Sequence, residues 1–246
     1  MHPILFEFGP ITIYSYGFIL FIAVIVSLSL FVKEAARLGY NKDTMFDLGV
    51  TILFSGIIGA RILYILLNLD FYLKHPKEIF MLHHGGLAIL GGIFLGLVAA
   101  FIFAKRRKIP LLKILDLVVP YVALGQSIGR IGCFFNGCCY GIASDKFGIY
   151  FPVHNAILIP SQLISSFLLL ILYIILRFKQ TKSHKTGTIL FSYLLYYSTG
   201  RFFIEFIRAD SPKLFLGLTI FQYFCLALFI TGLLLYIFTW KRKTSK

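Results

Sequence analysis

Charge is what this sequence has least of. Only 14% of its 246 residues are Asp, Glu, Lys or Arg, against 59% hydrophobic, and the acids number just 10. A soluble domain carries about 25% charged residues, so this chain lacks the polar surface needed to coat a water-facing globule. A separate soluble enzyme domain is excluded as well. If each bilayer crossing takes about 20 residues, seven crossings consume roughly 140 positions and leave only short loops and tails. Basic residues are absent from Met1 to Phe8, which excludes a signal-peptide n-region, and this stretch reads as an uncharged tail leading into the membrane. There is no low-complexity tract and no repeat of the roughly 20–50-residue period that marks repeat architectures.

What is present is a series of apolar runs, at about residues 11–32, 46–67, 86–104, 114–134, 162–177, 188–207 and 216–239. Backbone in hydrocarbon must satisfy its own polar groups, so runs of this length are helices. The expected fold is an all-α integral membrane protein, residues 1–246 forming a single bundle of seven transmembrane helices. The net charge of +14 would hint at nucleic acid in a soluble protein. Here its placement sets direction, and no nucleic-acid partner is expected. Sixteen of the 24 basic residues, including Lys33, Lys105 to Lys108, Lys179 and Lys241 to Lys243, fall in one set of loops and the C-terminal tail. Five (Lys74, Lys77, Lys146, Arg208 and Lys213) fall in the opposite set. Lys and Arg favour the cytoplasmic side, which puts the N-terminus outside and the C-terminus in the cytoplasm. The longest polar interruption, 136–161, then faces outward and is expected to form a small external cap.

Three basic residues remain, inside apolar runs or near their ends: Arg61, Arg130 and Arg201. An arginine at bilayer depth costs about 2.5–3.5 kcal/mol and usually faces a polar interior or a cavity. Arg201 and Glu205, four residues apart on one helix, share a face, and Arg208 continues it. One reading makes these charges structural, with Arg201 paired to Glu205 and Arg61 reaching the interface. Arg130, however, lies in Gly125-Gln-Ser-Ile-Gly129-Arg130-Ile-Gly132-Cys133-Phe-Phe-Asn136-Gly137-Cys138-Cys139-Tyr140-Gly141. This is polar-lined, glycine-rich backbone, tolerated only inside protein or beside a cavity. A guanidinium there can clamp a phosphate with two hydrogen bonds. The phosphate available at that depth belongs to a phospholipid, so these residues point to a phospholipid-processing site opening toward the outer leaflet.

Of the four cysteines, Cys225 reads as packing, while Cys133, Cys138 and Cys139 cluster. Their spacing matches no standard zinc pattern, and no His or acid flanks them at ligand distance. Packing, a disulfide from Cys133 to Cys138 or Cys139, a nucleophilic thiol and a metal site all stay open. Neither a metal nor another cofactor is expected.

Taken in order, these residues resemble the bacterial phosphatidylglycerol–prolipoprotein diacylglyceryl transferases. The run Gly129-Arg-Ile-Gly-x-Phe-x-Asn136-Gly-x-x-x-Gly141 is similar to that family's signature. Tyr16-Gly17, Gly59-Ala-Arg61, the glycine box Gly85-Gly86-Leu-Ala-Ile-Leu90-Gly91-Gly92, Pro160-Ser161-Gln162 and Arg201-x-x-x-Glu205-x-x-Arg208-x-Asp210 match its other motifs. The resemblance covers nearly the whole chain. It implies a multi-pass enzyme of the bacterial cytoplasmic membrane. Diacylglycerol passes from phosphatidylglycerol to the lipobox cysteine thiol of a preprolipoprotein, and glycerol phosphate leaves. The implied partners are phosphatidylglycerol, the lipobox segment and membrane lipids. By motif position, Arg130 binds the lipid phosphate, Arg201 assists and Glu205 orients Arg201. Tyr16, Asn136, Gln162, Gly86, Gly132, Gly141, Arg61 and Arg208 are then candidate substrate contacts.

The chain also departs from the family's pattern. Leu90 stands where the family typically has a His, the favoured base. His83 and His84 lie six or seven residues earlier, about 9–10 Å along a helix. Cys133 and Cys138 stand where Asn and Glu are common, and Ile159, Ile164 and Ser165 replace the His, Tyr and Glu around Pro-Ser-Gln. Three readings follow: the same transfer with another means of ionising the thiol, a diverged lipid transferase with another acceptor, or a non-catalytic phospholipid-binding protein.

Overall fold

The computed structural model describes residues 1–9, 11–81 and 85–241. His83 and His84, and the tail residues Arg242, Lys243 and Lys246, lie outside the described residues. Each apolar run is a helix, with ends shifted by a few residues: α1 Ser15–Arg37, α2 Lys42–Leu67, α4 Ile89–Arg106, α5 Leu111–Asn136, α6 Ser161–Thr181, α7 Thr188–Phe206 and α8 Ile220–Lys241. A short α3, Leu69–Lys74, and a 3-10 turn, Pro76–Phe80, follow α2. Six of the long helices are long and apolar enough to cross a membrane, and the protein is a multi-pass membrane protein. The exception is α7, in which Arg201, Glu205 and several hydroxyl residues dilute the apolar character. Its polar side is buried in protein instead, at Ser192, Tyr193, Ser198 and Glu205.

The structure corrects one expectation at the start of the chain. The segment read as a tail is an antiparallel hairpin, β1 Ile4–Phe8 with β2 Ile11–Tyr14, in which Ile4 pairs with Tyr14 and Phe6 with Ile13. Aromatic and β-branched residues favour strands, and Gly9 turns the chain at φ +57°. A second hairpin, β3 Ile149–Phe151 with β4 Ala156–Leu158, lies within the 136–161 segment. The fold is therefore helical with two small hairpins added.

The chain forms two compact units, residues 32–114 and residues 1–31 with 115–246. In the first, α2 and α4 meet at glycines. A Cβ on Gly59 would lie 2.4 Å from the Gly91 carbonyl oxygen, and one on Gly91 would lie 2.2 Å from the Gly59 oxygen. Lipid offers no hydrophobic driving force between helices, so such backbone-to-backbone contact is how they gain attraction. The second glycine pair of the box, Gly91 and Gly92, is thus a helix-packing device.

In the second unit, α5 and α6 exchange hydroxyl hydrogen bonds: Ser127 Oγ donates to the Ser166 carbonyl and Ser166 Oγ to the Ser127 carbonyl, both at 2.8 Å. Asp116 of α5 caps α7 from a distance. Its carboxylate accepts from the amides of Gly187 (2.5 Å) and Leu190 (2.8 Å), satisfying donors that a helix N-terminus leaves orphaned. Val119, Ala123, Leu169, Leu172, Leu176, Ile189 and Tyr193 pack between these bonds as an apolar core. The result is a fixed α5–α6–α7 arrangement.

Gly59→Leu should force α2 from α4, at a cost of about 1–3 kcal/mol or more. We expect a lower melting temperature and loss of the monodisperse peak in detergent. A normal melt for that variant would remove the close-packing assignment.

Candidate active site

Residues at i, i+3, i+4 and i+7 share a helix face. On α6 that face is Ser165, Leu168, Leu169, Leu172 and Ile175; on α7 it is Tyr196, Tyr197, Gly200, Arg201 and Ile204. Together they line a groove of about 180 Å³, joined by Arg130 from α5. The lining is apolar apart from a few hydroxyls and two guanidinium groups. That combination suits an alkyl chain with an anionic end.

Arg201 is held from one side only. Its Nη2 lies 2.8 Å from Glu205 Oε2, and its guanidinium sits over the Phe221 ring, 5.6 Å from the centroid. Its Nη1 is buried with no hydrogen-bond partner. Glu205 is fully buried and also accepts from Thr219 Oγ1 at 3.2 Å. Removing one partner of such a buried pair would cost several kcal/mol, so Glu205 is what lets Arg201 stay charged there. Among the described residues no carboxylate or carbonyl holds Arg130. Arg130 and Arg201 are near enough to feel each other's charge. Two converging cations with donors to spare make a site for an anion.

The polar run after Arg130 ends α5 with a specific cap. Gly137, at φ +75°, donates its amide to the Phe134 carbonyl (3.1 Å), and Cys138 donates its amide to the Cys133 carbonyl (3.2 Å). This paired pattern is the Schellman motif, which brings the residue after the glycine back over the residue five earlier. Cys138 therefore returns to Cys133. Cys139, at φ +63°, turns the chain again, and all three sulfurs lie within 4.8 Å of one another. The thiols are free. Hydrogen bonds from Cys133 and Cys138, then the charges of Arg208 and Arg130, hold the Cys139 thiol below its ordinary range.

Several expected substrate contacts instead hold this turn. Gln162 donates Nε2 to the Cys138 carbonyl (2.7 Å), and Ser161 donates Oγ to the Cys139 carbonyl (2.6 Å). Gln162 Oε1 is left buried without a partner. The Asn136 side chain lies beside Cys138. Gly141 donates to the Ile159 carbonyl (2.9 Å) and bridges to Arg208, where a Cβ would lie 2.8 Å from the Ile207 oxygen. Arg208 is forked onto Asp210 by bonds of 2.8 and 2.9 Å, and its Nη1 lies 3.7 Å from Glu205. The Tyr16 ring lies against Gly132, where a Cβ would be 3.3 Å away.

The 32–114 unit gives Arg61 a role other than substrate contact. Its Nε donates to the Ile79 carbonyl (3.1 Å) and its Nη1 to the Gly85 (2.5 Å) and Gly86 (3.0 Å) carbonyls. Its Nη2 donates to the Glu78 and Met81 carbonyls. A guanidinium has five N–H donors, and five carbonyls take them. None remains for a phosphate. Gly86, at φ +83°, presents one of those carbonyls and leaves room for the Tyr64 ring. Leu90 stands in the first turn of α4, more than half exposed.

The sequence did not reveal the α6 wall of the groove, and it left the convergence of the thiols as one alternative among several. Gly137, a helix-stop glycine one residue before Cys138, was a signal for the second.

A family model described as "Prolipoprotein diacylglyceryl transferase" matches residues 3–238. The chain is 36% identical to phosphatidylglycerol–prolipoprotein diacylglyceryl transferase 2 of Clostridium perfringens, covering 96% of this chain and 94% of that protein. It is 33% identical to the phosphatidylglycerol–prolipoprotein diacylglyceryl transferase of Clostridium tetani (96% and 97% covered) and 33% identical to that of Streptococcus mutans (96% and 95%).

Lysine offers a point charge, not a fork, so Arg61→Lys should free the carbonyls of Ile79, Met81, Gly85 and Gly86. We expect faster tryptic cleavage at Lys74 and Lys77 and a loss of about 1–3 kcal/mol. Unchanged proteolysis with weakened lipid binding would restore Arg61 as a substrate contact.

Proposed function

The chain belongs to the prolipoprotein diacylglyceryl transferase family, and we propose that its arginine-lined groove is where the transfer occurs. Phosphatidylglycerol donates its diacylglyceryl group to the lipobox cysteine thiol of a prolipoprotein, the first step of lipoprotein maturation. The observation that carries this is the groove itself: an apolar wall from α6 and α7, ending at Arg130 and at the unpartnered Nη1 of Arg201.

The apolar face accepts an acyl chain, and the two arginines take the phosphodiester. The acceptor sulfur, as thiolate, attacks the glyceryl carbon. The carbon–oxygen bond to phosphate breaks, its electron pair goes to the phosphate oxygen, and a thioether and glycerol phosphate result. The thiol's proton passes to solvent or to the released phosphate. Charge grows on the departing phosphate, where preorganised cations act most strongly. Glu205 keeps Arg201 in position. With Leu90 at the glycine-box position no imidazole takes the thiol's proton there, and the positive field of Arg130 and Arg201 favours the thiolate.

The topology fits this reading. We place α7 across the bilayer with the other six, its polar side shielded by protein. Seven crossings with the N-terminus outside put the 136–161 segment, with its small hairpin, on the outer face of the cytoplasmic membrane. There it caps the site where lipid and prolipoprotein meet.

Purified protein supplied with phosphatidylglycerol and a lipobox substrate should add a diacylglyceryl mass increment. Folded protein that binds lipid without that increment would favour a non-catalytic lipid-binding bundle, and an increment on another acceptor a diverged transferase. Arg130→Gln should lower kcat/KM by about 10²–10³-fold; full activity would remove the clamp assignment.

A second variant tests the groove apart from its charges. A Cβ at Gly200 meets nothing within 4 Å and Gly200 lines the groove, so Gly200→Leu puts a side chain into the groove from an unobstructed Cβ and suits a helix better than glycine. We expect activity to fall at least tenfold with an unchanged or higher melting temperature. Undiminished activity would move the acyl chain elsewhere.

A further inference from the structure

Three thiols share one point at the end of α5, and the function described above leaves them unused. Cys133, Cys138 and Cys139 are all partly buried, and their sulfurs lie within 4.8 Å of one another. A tetrahedral zinc site has Zn–S bonds of about 2.3 Å, which sets its sulfurs roughly 3.8 Å apart. Small side-chain rotations would close that difference.

The arrangement is also built to stay. The Schellman turn joins the first two thiols through backbone bonds, and Ser161 and Gln162 pin the carbonyls of Cys139 and Cys138. Asn136 contacts Cys138 as a second layer, the kind of outer support that metal ligands receive. Three thiolates around a divalent cation carry one net negative charge, and the arginines at positions 130 and 208 act on this spot. The excess negative charge is thereby offset by guanidinium groups already beside the thiols.

The geometry points to a three-thiolate site for a thiophilic divalent ion, Zn²⁺ in the first instance, whose fourth position is open to an incoming thiol. Among the described residues, no fourth His, Cys, Asp or Glu joins the cluster. The nearby His154 is engaged, its ring tilted against that of Tyr140 with centroids 4.1 Å apart and its Nε2 bonded to the Gly137 carbonyl at 2.8 Å. Zinc held by three protein ligands keeps a position for water or substrate, and a thiol that takes it is deprotonated outright. The acceptor cysteine would lose its proton to solvent on binding, and its sulfur would then attack the glyceryl carbon as in the transfer already written. Only the identity of that incoming thiol rests on the transferase reading; the metal site does not.

The test uses the full-length protein in detergent, reduced, stripped by chelator, with its free thiols counted. Titration with Co²⁺ should give one equivalent of binding, with thiolate-to-cobalt charge transfer and the intense visible bands of a tetrahedral ion, bleached by Zn²⁺. Cys133→Ser, Cys138→Ser and Cys139→Ser should each weaken binding at least tenfold, and Cys225→Ser should not. A lipobox-cysteine peptide should shift the visible bands, and its serine counterpart should not. Absence of these bands in protein with reduced thiols would overturn the site, as would bands that survive all three serine variants. Full transfer activity in metal-free protein would overturn the thiol-activating role. Product formation is read separately by mass, so intact cobalt bands with no product would count against the transferase reading and not against the site.

Discussion

Charge inside a membrane has to be answered by something, and the fold is organised around how each buried charge is answered. Arg61 is answered by five backbone carbonyls, Glu205 by Arg201, Arg208 and Thr219, and Asp116 by the amides at the start of α7. These groups are fixed because leaving any of them unpaired in a low-dielectric interior costs several kcal/mol. Against that background the exceptions are informative. Arg130 has no acceptor among the described residues and Arg201 retains a buried donor. Both open on the same apolar groove, so what answers them is a ligand.

Close backbone packing is the second constraint, and it frees side chains for this purpose. Gly59 against Gly91 locks α2 to α4 without using a polar group. In the other unit, reciprocal serine bonds and the remote Asp116 cap fix α5, α6 and α7. Arg130 and Arg201 project from helices held in this way, which is how two guanidinium groups can be kept close despite repelling each other.

The turn after Arg130 connects the arginine site to the thiols. Pro160-Ser161-Gln162 could be read as substrate-contacting because it is polar and sits at a helix start. Ser161 and Gln162 each donate to a carbonyl of the turn, those of Cys139 and Cys138, so they fix its position, and the unpartnered Oε1 of Gln162 stays available. Gly141 likewise works by letting the chain pass between Ile159 and Ile207.

Composition and spacing alone determined the membrane environment, the seven helical segments and the pairing of Arg201 with Glu205. These follow from length, hydropathy and i,i+4 geometry, which are local properties. The N-terminal hairpin was missed because a short strand pair and an uncharged tail look alike until register is known. Only tertiary structure decided which arginines stay free. Whether Arg61 meets a phosphate or five carbonyls depends on residues 17 to 25 positions away. The return of Cys138 to Cys133 was legible in Gly137, because a helix-stop glycine acts locally. The α6 wall of the groove was not, because it requires segments distant in sequence to meet in space.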